Sequence, residues 1–179
     1  PDPFMVAATM NPIEYEGTYV LPEAQLDRFM LKVILELPPR DAELEVLRRH
    51  ASGFNPRDLA AANVQQAIDE QELRHARAQA QQVRVHESVL GYLVDLARAS
   101  RQSPSVRMGI SPRGATALLR AAKASSYLYG YDAVTPDHIQ RMCLPAWRHR
   151  IVLQPEAELE GVSTDAVLRS IVQQVQVPI

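Results

Sequence analysis

The chain has 179 residues, 46% of them hydrophobic, with a formal net charge of −2 and a single cysteine, Cys143. That length allows one good core or two small ones, and the charge lacks the basic excess that marks a nucleic-acid footprint. One cysteine excludes an intrachain disulfide and fits a reducing compartment. No apolar stretch reaches the ~20 residues of a membrane helix and no secretory signal is present, so the expected location is the cytoplasm.

In chain order, Phe4–Ala8 is a short apolar run that reads as a strand buried on both faces, although periodicity alone leaves a helical turn open. It stops at Thr9-Met10-Asn11-Pro12, which puts the Asn11 amide just past a strand end, where open α/β sheets bind ligands. A short helix from Pro22 to Asp27 precedes Arg28, and Met30–Leu37, rich in branched residues and bounded by Pro38-Pro39, reads as a second buried strand. A domain boundary is expected at the prolines, with residues 1–38 in one domain and 39–179 in the other.

Beyond the boundary the signals are helical. Asp41 to about Ser52 carries Leu44, Leu47 and Ala51 at helical spacing, with Gly53 as a stop. Phe54 to Gln66 stays ambiguous. Asp69 and Glu72 have capping-box spacing and open a surface helix to about Gln82. Glu87 to Arg101 presents Val89, Leu90, Leu93, Val94, Leu96 and Ala97 as the wide apolar face of a core helix. Ser111-Pro112 starts a helix that runs to Gly130 and buries Ala115, Leu118, Leu119, Ala122 and Leu128. Thr135-Pro136 repeats that signal for a helix to about Arg148, with Ile139, Met142 and Cys143 inward. Ile151–Leu153 is extended, and a last helix runs from Ser163 to about Val175. The expected fold class is mainly α: the closing strands of an α/β core followed by a helical domain.

The run Ala8-Thr-Met-Asn-Pro-Ile-Glu-Tyr-Glu-Gly-Thr-Tyr19, with Leu21-Pro-Glu-Ala-Gln-Leu-Asp-Arg-Phe29 after it, resembles the MoxR family of AAA+ ATPases. That family has Gln where Met10 stands. The likeness continues through Gly109–Ala115 and Gln154–Val162, in the right order. It implies that Asn11 is sensor 1, which orients the attacking water near the γ-phosphate. It further implies that Arg28 is the arginine finger for a neighbouring subunit's nucleotide, and that Arg113 is sensor 2, the lid arginine that touches phosphate. ATP and Mg²⁺, a homo-oligomeric ring (commonly a hexamer), chaperone-like remodelling of other proteins, and partners with a von Willebrand factor A domain follow from the same resemblance. No Gly-x-x-x-x-Gly-Lys-Ser/Thr phosphate loop is present, nor an apolar strand ending in an acidic pair ahead of Asn11. Those elements precede sensor 1 in the family, so the chain is expected to be the sensor and lid portion of a longer ATPase, inactive by itself.

Each candidate also has a plainer role. Asn11 before Pro12 suits a turn. Arg28 could pair with Asp27 or Glu23 at the surface, worth ~0–1 kcal/mol. Arg113 lies in the first turn of a helix, where a cation opposes the dipole at a cost of roughly a few tenths of a kcal/mol. That local conflict, with Gly114 beside it leaving room for close approach, points to a task other than helix stability. Glu14, Glu16 and Gly17 form a polar turn that suits either a subunit boundary or solvent. The five histidines lack metal-ligand spacing, and Arg148-His149-Arg150 is a basic cluster too small for nucleic acid. Two rival readings stand beside the ATPase: a helical module whose Ser111–Gly130 and Thr135–Arg148 pair reads DNA or binds a protein, and a degenerate, non-hydrolysing subunit.

Overall fold

The computed structural model describes residues 3–10, 22–58 and 64–178. The chain is mainly α. In order the elements are α1 (Glu23–Leu26), α2 (Arg40–Ala51), α3 (Glu70–Gln82), β1 (Arg84–Val85), α4 (Glu87–Gln102), β2 (Val106–Met108), α5 (Pro112–Leu128), β3 (Ala133–Val134), α6 (Pro136–Trp147), β4 (Val152–Leu153), α7 (Pro155–Leu159) and α8 (Thr164–Gln174). Two compact units form, one of residues 1–32 with 74–179 and one of residues 33–73.

The larger unit holds the hydrophobic core. Leu96 of α4, Ile110, Leu118 of α5, Ile139, Cys143 and Trp147 of α6, and Leu168 of α8 are fully enclosed. The helix starts explain themselves locally. Ser111 accepts a hydrogen bond from the Gly114 N–H (3.1 Å) with Pro112 in the first turn, and Ser163 accepts one from Ala166 (3.1 Å). Two small pairings brace the helices: β1 runs parallel to β3, with Arg84 opposite Ala133, and β2 runs antiparallel to β4, with Val106 opposite Leu153. Gly109 lies against the end of α4 so closely that a Cβ would stand 2.7 Å from the Arg101 nitrogen. The contact is closed by the Ile110 N–H on Ser100 Oγ (2.9 Å) and by Arg101 Nε on the Ile110 carbonyl (2.7 Å).

In the smaller unit α2 buries no residue; Leu44 and Phe54 are half-buried and Leu47 is exposed. Gly53 ends the helix with φ +87°, a conformation that costs glycine nothing sterically. The capping box ahead of α3 forms as its spacing predicts: the Asp69 N–H donates to Glu72 Oε2 (2.8 Å) and the Glu72 N–H to Asp69 Oδ1 (2.7 Å).

Some local expectations are corrected. Neither Phe4–Ala8 nor Met30–Leu37 is in a strand. A strand is defined by pairing, and among the described residues no segment pairs with either run. Their side chains are accordingly open to solvent, Met5 85% and Leu35 89% exposed. Val94 and Leu128, placed on apolar faces by spacing alone, are also exposed, because α4 and α5 bury narrower stripes. The sequence reading did not include α7, although Pro155 stands in its first turn, and of the pairings β1–β3 and β2–β4 it held only the extended Ile151–Leu153.

Candidate functional site

The C-terminus of α6 is where the structure gathers its buried charge. A helix leaves its last four carbonyls unpaired, and here each finds a donor. Leu144 takes the Arg148 N–H (3.0 Å), Pro145 takes the Lys32 N–H (2.8 Å), Trp147 takes the Arg150 N–H (2.9 Å), and Ala146 takes Arg150 Nη1. Cations at that end complement the helix dipole. Residues 148–150 and the segment around Lys32 thus complete the helix.

Arg150 is the centre of this arrangement, its side chain only 3% exposed. Nε donates to Asp27 Oδ1 (2.9 Å); Nη2 donates to the carbonyls of Asp27 (3.0 Å) and Phe29 (2.7 Å); Nη1 donates to the carbonyls of Met30 (3.1 Å) and Ala146. A guanidinium has five N–H groups, and all five meet oxygen. Burial lowers the pKa of Arg150, opposed by the hydrogen bond and charge of Asp27, and an arginine stays protonated throughout. Asp27 is 27% exposed, so the cost of breaking the pair falls mainly on the enclosed guanidinium, which would lose its counter-charge.

The neighbours of Arg150 grip the same segment. Arg148 pairs bidentately with Asp165 in the first turn of α8 (3.0 and 2.8 Å) and reaches the Lys32 carbonyl (3.5 Å). His149 Nε2 lies 2.9 Å from the Phe29 carbonyl and 2.9 Å from Arg150 Nη1. With the arginine's protons all on oxygens, the Nε2 proton goes to Phe29, which leaves the buried Nδ1 without a partner. Burial is the main cause of the lowered His149 pKa, and the ring is neutral at pH 7. The basic triplet 148–150 is therefore an internal clamp on residues 27–32.

Arg113 stands at the opposite side of Asp27. It occupies the first turn of α5, 66% exposed, with Nη1 3.6 Å from Asp27 Oδ2. At that exposure the pair is worth ~0–1 kcal/mol, so the guanidinium is held loosely while its backbone is held firmly. Trp147 Nε1 donates to the Gly114 carbonyl (2.9 Å). A Cβ on Gly114 would meet Ile110 Cγ2 at 3.0 Å and Arg150 Cδ at 3.1 Å. The close approach at Gly114 is thus made by Arg150 and Ile110.

Arg28 is exposed on the turn after α1, its N–H bonded to the Gln25 carbonyl (3.2 Å). Asp27, one of the two partners the sequence suggested for it, is engaged by Arg150 and Arg113 instead. Asn11, Glu14, Glu16 and Gly17 lie outside the described residues. The structure therefore brings Arg113 together with Asp27, and adds Arg150, which sequence reasoning passed over as part of a minor basic cluster. Nothing in the linear run Trp147-Arg148-His149-Arg150-Ile151 separates Arg150 from Arg148. Among the described residues no group of carboxylates, imidazoles and thiols could hold a metal ion, and no helix is long and apolar enough to cross a membrane. In the rival reading in which Ser111–Gly130 and Thr135–Arg148 read DNA, the second helix begins with His138 buried in a cap on Thr135 (2.8 Å), where a reading face would need it exposed.

Comparison with known proteins follows the same two regions. Residues 98–171 match the AAA lid domain, and residues 1–31 match the ATPase family associated with various cellular activities. The chaperone MoxR1 of Mycobacterium tuberculosis is 32% identical over 187 residues, covering 99% of this chain and 48% of that protein. The chain is of the MoxR AAA+ type. YeaC of Bacillus subtilis, an uncharacterized protein, is 40% identical over 178 residues, 99% of this chain and 54% of its own. A crystal structure of a protein from Cytophaga hutchinsonii superposes with a TM-score of 0.88 at 35% identity, covering 100% of this chain and 56% of that one. The chain spans about half the length of these relatives. In this MoxR-type chain the ion pair of Asp27 with Arg150 ties the region matched to the ATPase family to the region matched to the AAA lid.

Proposed function

We propose that the chain is the sensor and lid portion of a MoxR-type AAA+ ATPase that couples ATP hydrolysis to remodelling or maturing other proteins. The observation that carries the reading is Arg113: a loosely paired, exposed guanidinium on a firmly anchored helix start, next to the turn that bears Arg28. A phosphate could replace Asp27 on Arg113 at little cost, since the existing contact is weak. In this reading Arg113 binds nucleotide phosphate, Asn11 orients the attacking water, and Arg28 neutralises charge developing on the γ-phosphoryl bound by a neighbouring subunit. Residues 1–38 then belong to the ATPase core and 39–179 to the lid. ATP fits Arg113. Mg²⁺ has no ligand cluster among the described residues, so its ligands belong to the phosphate-loop and acidic elements that this sequence does not contain. The partners are further copies in a ring, taken as a hexamer, and a protein with a von Willebrand factor A domain.

The test is ATP hydrolysis by the full gene product that contains this chain. Arg28→Ala should leave ATP binding nearly intact and lower kcat by roughly 10³–10⁵-fold, as for other arginine fingers. A full product without ATPase activity, or an Arg28→Ala variant with wild-type kcat, overturns the reading. The 179-residue chain by itself should release phosphate only at the background rate.

A further inference from the structure

The proposed finger, Arg28, is a surface side chain on a short turn, and α1 ahead of it has only four residues. A finger works only if its guanidinium arrives at the transferred phosphoryl with a fixed position, because a misplacement of about 1 Å costs ~10²-fold in rate. Something must hold the backbone on both sides of it. On the near side, the Arg28 and Phe29 N–H groups bond to the carbonyls of Gln25 (3.2 Å) and Leu26 (3.0 Å). On the far side, no backbone N–H among the described residues takes the carbonyls of Asp27, Phe29 or Met30.

We propose that Arg150 is the positioning residue for Arg28. Its Nη2 binds the carbonyl before Arg28 (Asp27, 3.0 Å) and the one after it (Phe29, 2.7 Å), and Nη1 binds the next (Met30, 3.1 Å). The plane of one rigid guanidinium thus holds the carbonyls of the two residues on either side of Arg28, while Nε holds the Asp27 carboxylate (2.9 Å). The guanidinium is itself fixed from behind by the Ala146 carbonyl at the end of α6. Lysine could not replace it: an ammonium has three donors in a cone, whereas this site uses five in one plane. Arg150 follows α6, inside the region matched to the AAA lid, and the Arg28 turn lies in the region matched to the ATPase family. The lid of each subunit would therefore set the finger that the same subunit offers to its neighbour. The inference rests on reading Arg28 as a finger acting in trans.

The experiment is a mixing assay on the full gene product, reading ATPase rate across subunit ratios, with mixed assembly checked independently. Three variants are made: Arg28→Ala, Arg150→Lys and Asn11→Ala. Asn11→Ala has a broken pocket and a sound finger. Arg28→Ala has the reverse, so mixing those two should restore activity. Arg150→Lys should lower kcat by about 10²-fold with KM for ATP little changed, and it too should be rescued by Asn11→Ala subunits. A general loss of structure would not be rescued by a neighbour. If the Arg28→Ala mixture recovers but the Arg150→Lys mixture does not, or if Arg150→Lys keeps wild-type kcat, Arg150 does not position the finger, and the finger reading survives. If the Arg28→Ala mixture itself stays inactive, the finger does not act in trans and both proposals fall. Should Arg150→Lys fail to fold, Asp27→Asn, which keeps the backbone bonds and weakens the clamp, takes its place: rescue supports the inference, and unchanged kcat or no rescue overturns it.

Discussion

His149 shows how a single buried side chain carries a pH dependence into the fold. Its ring is held against the Phe29 carbonyl, and burial lowers its pKa from the ordinary 6.5. The unfolded chain, with the ordinary value, takes up the proton first as the pH falls. Stability from this residue is therefore complete above pH 6.5, declines as the pH drops through 6.5, and levels off below the lower folded-state value. His138 also has a lowered pKa, from burial and the nearby Arg141, and acts in the same direction. Urea unfolding midpoints should fall between pH 7 and pH 5, and His149→Gln should make that fall shallower. An unchanged slope in the variant would remove His149 from the account. Cys143 is the contrasting case: fully buried, its thiol is pushed up to about 12 by desolvation, so it stays protonated and packs as a small apolar group.

Among the elements, the close seating of residues 109–110 on the end of α4 depends on one missing side chain. In Gly109→Ala, the new Cβ would stand 2.7 Å from the Arg101 nitrogen, 2.8 Å from its Cα and 2.8 Å from the Ser100 carbonyl carbon. All three are backbone atoms inside a helix, so the 109–110 segment has to move and the Ile110 N–H loses its bond to Ser100 Oγ. We expect a loss of about 1–3 kcal/mol by overpacking, read as a lower urea midpoint; a change within about 0.5 kcal/mol, the size of an ordinary surface substitution, would contradict the packing described. Helix starts were legible at this scale because their signals are local. Ser111-Pro112, Thr135-Pro136 and the Asp69–Glu72 box each satisfy their own N–H groups within one turn. The small strand pairings were not legible, since Arg84 and Ala133 meet only after the helices between them have packed.

At the level of the whole molecule, the two apolar runs Phe4–Ala8 and Met30–Leu37 remain open, with Phe4 71%, Met5 85%, Leu35 89% and Leu37 89% exposed. Apolar surface of this kind, on backbone without a strand partner, associates with other chains. The 179-residue chain alone should scatter light as a concentration-dependent oligomer. Replacing Leu35 and Leu37 by lysine should shift it towards monomer. A strictly monomeric chain before substitution would count against the prediction.

Read by itself, the sequence determined the mainly α class, most helix boundaries and the MoxR-type resemblance. Each of these depends on periodicity, on caps within one turn or on short contiguous motifs, all present in the linear order of residues. It also singled out Arg28 and Arg113 by their motifs. Only the tertiary structure decided which arginine is buried. Arg148, Arg150, Arg113 and Arg28 are equally charged in the sequence, yet Arg150 is enclosed with five oxygens and Arg28 is left in solvent. Burial of a guanidinium is tolerated only where several acceptors converge. Those acceptors, the carboxylate of Asp27 and the carbonyls of residues 27, 29, 30 and 146, come from segments that meet only in the folded chain.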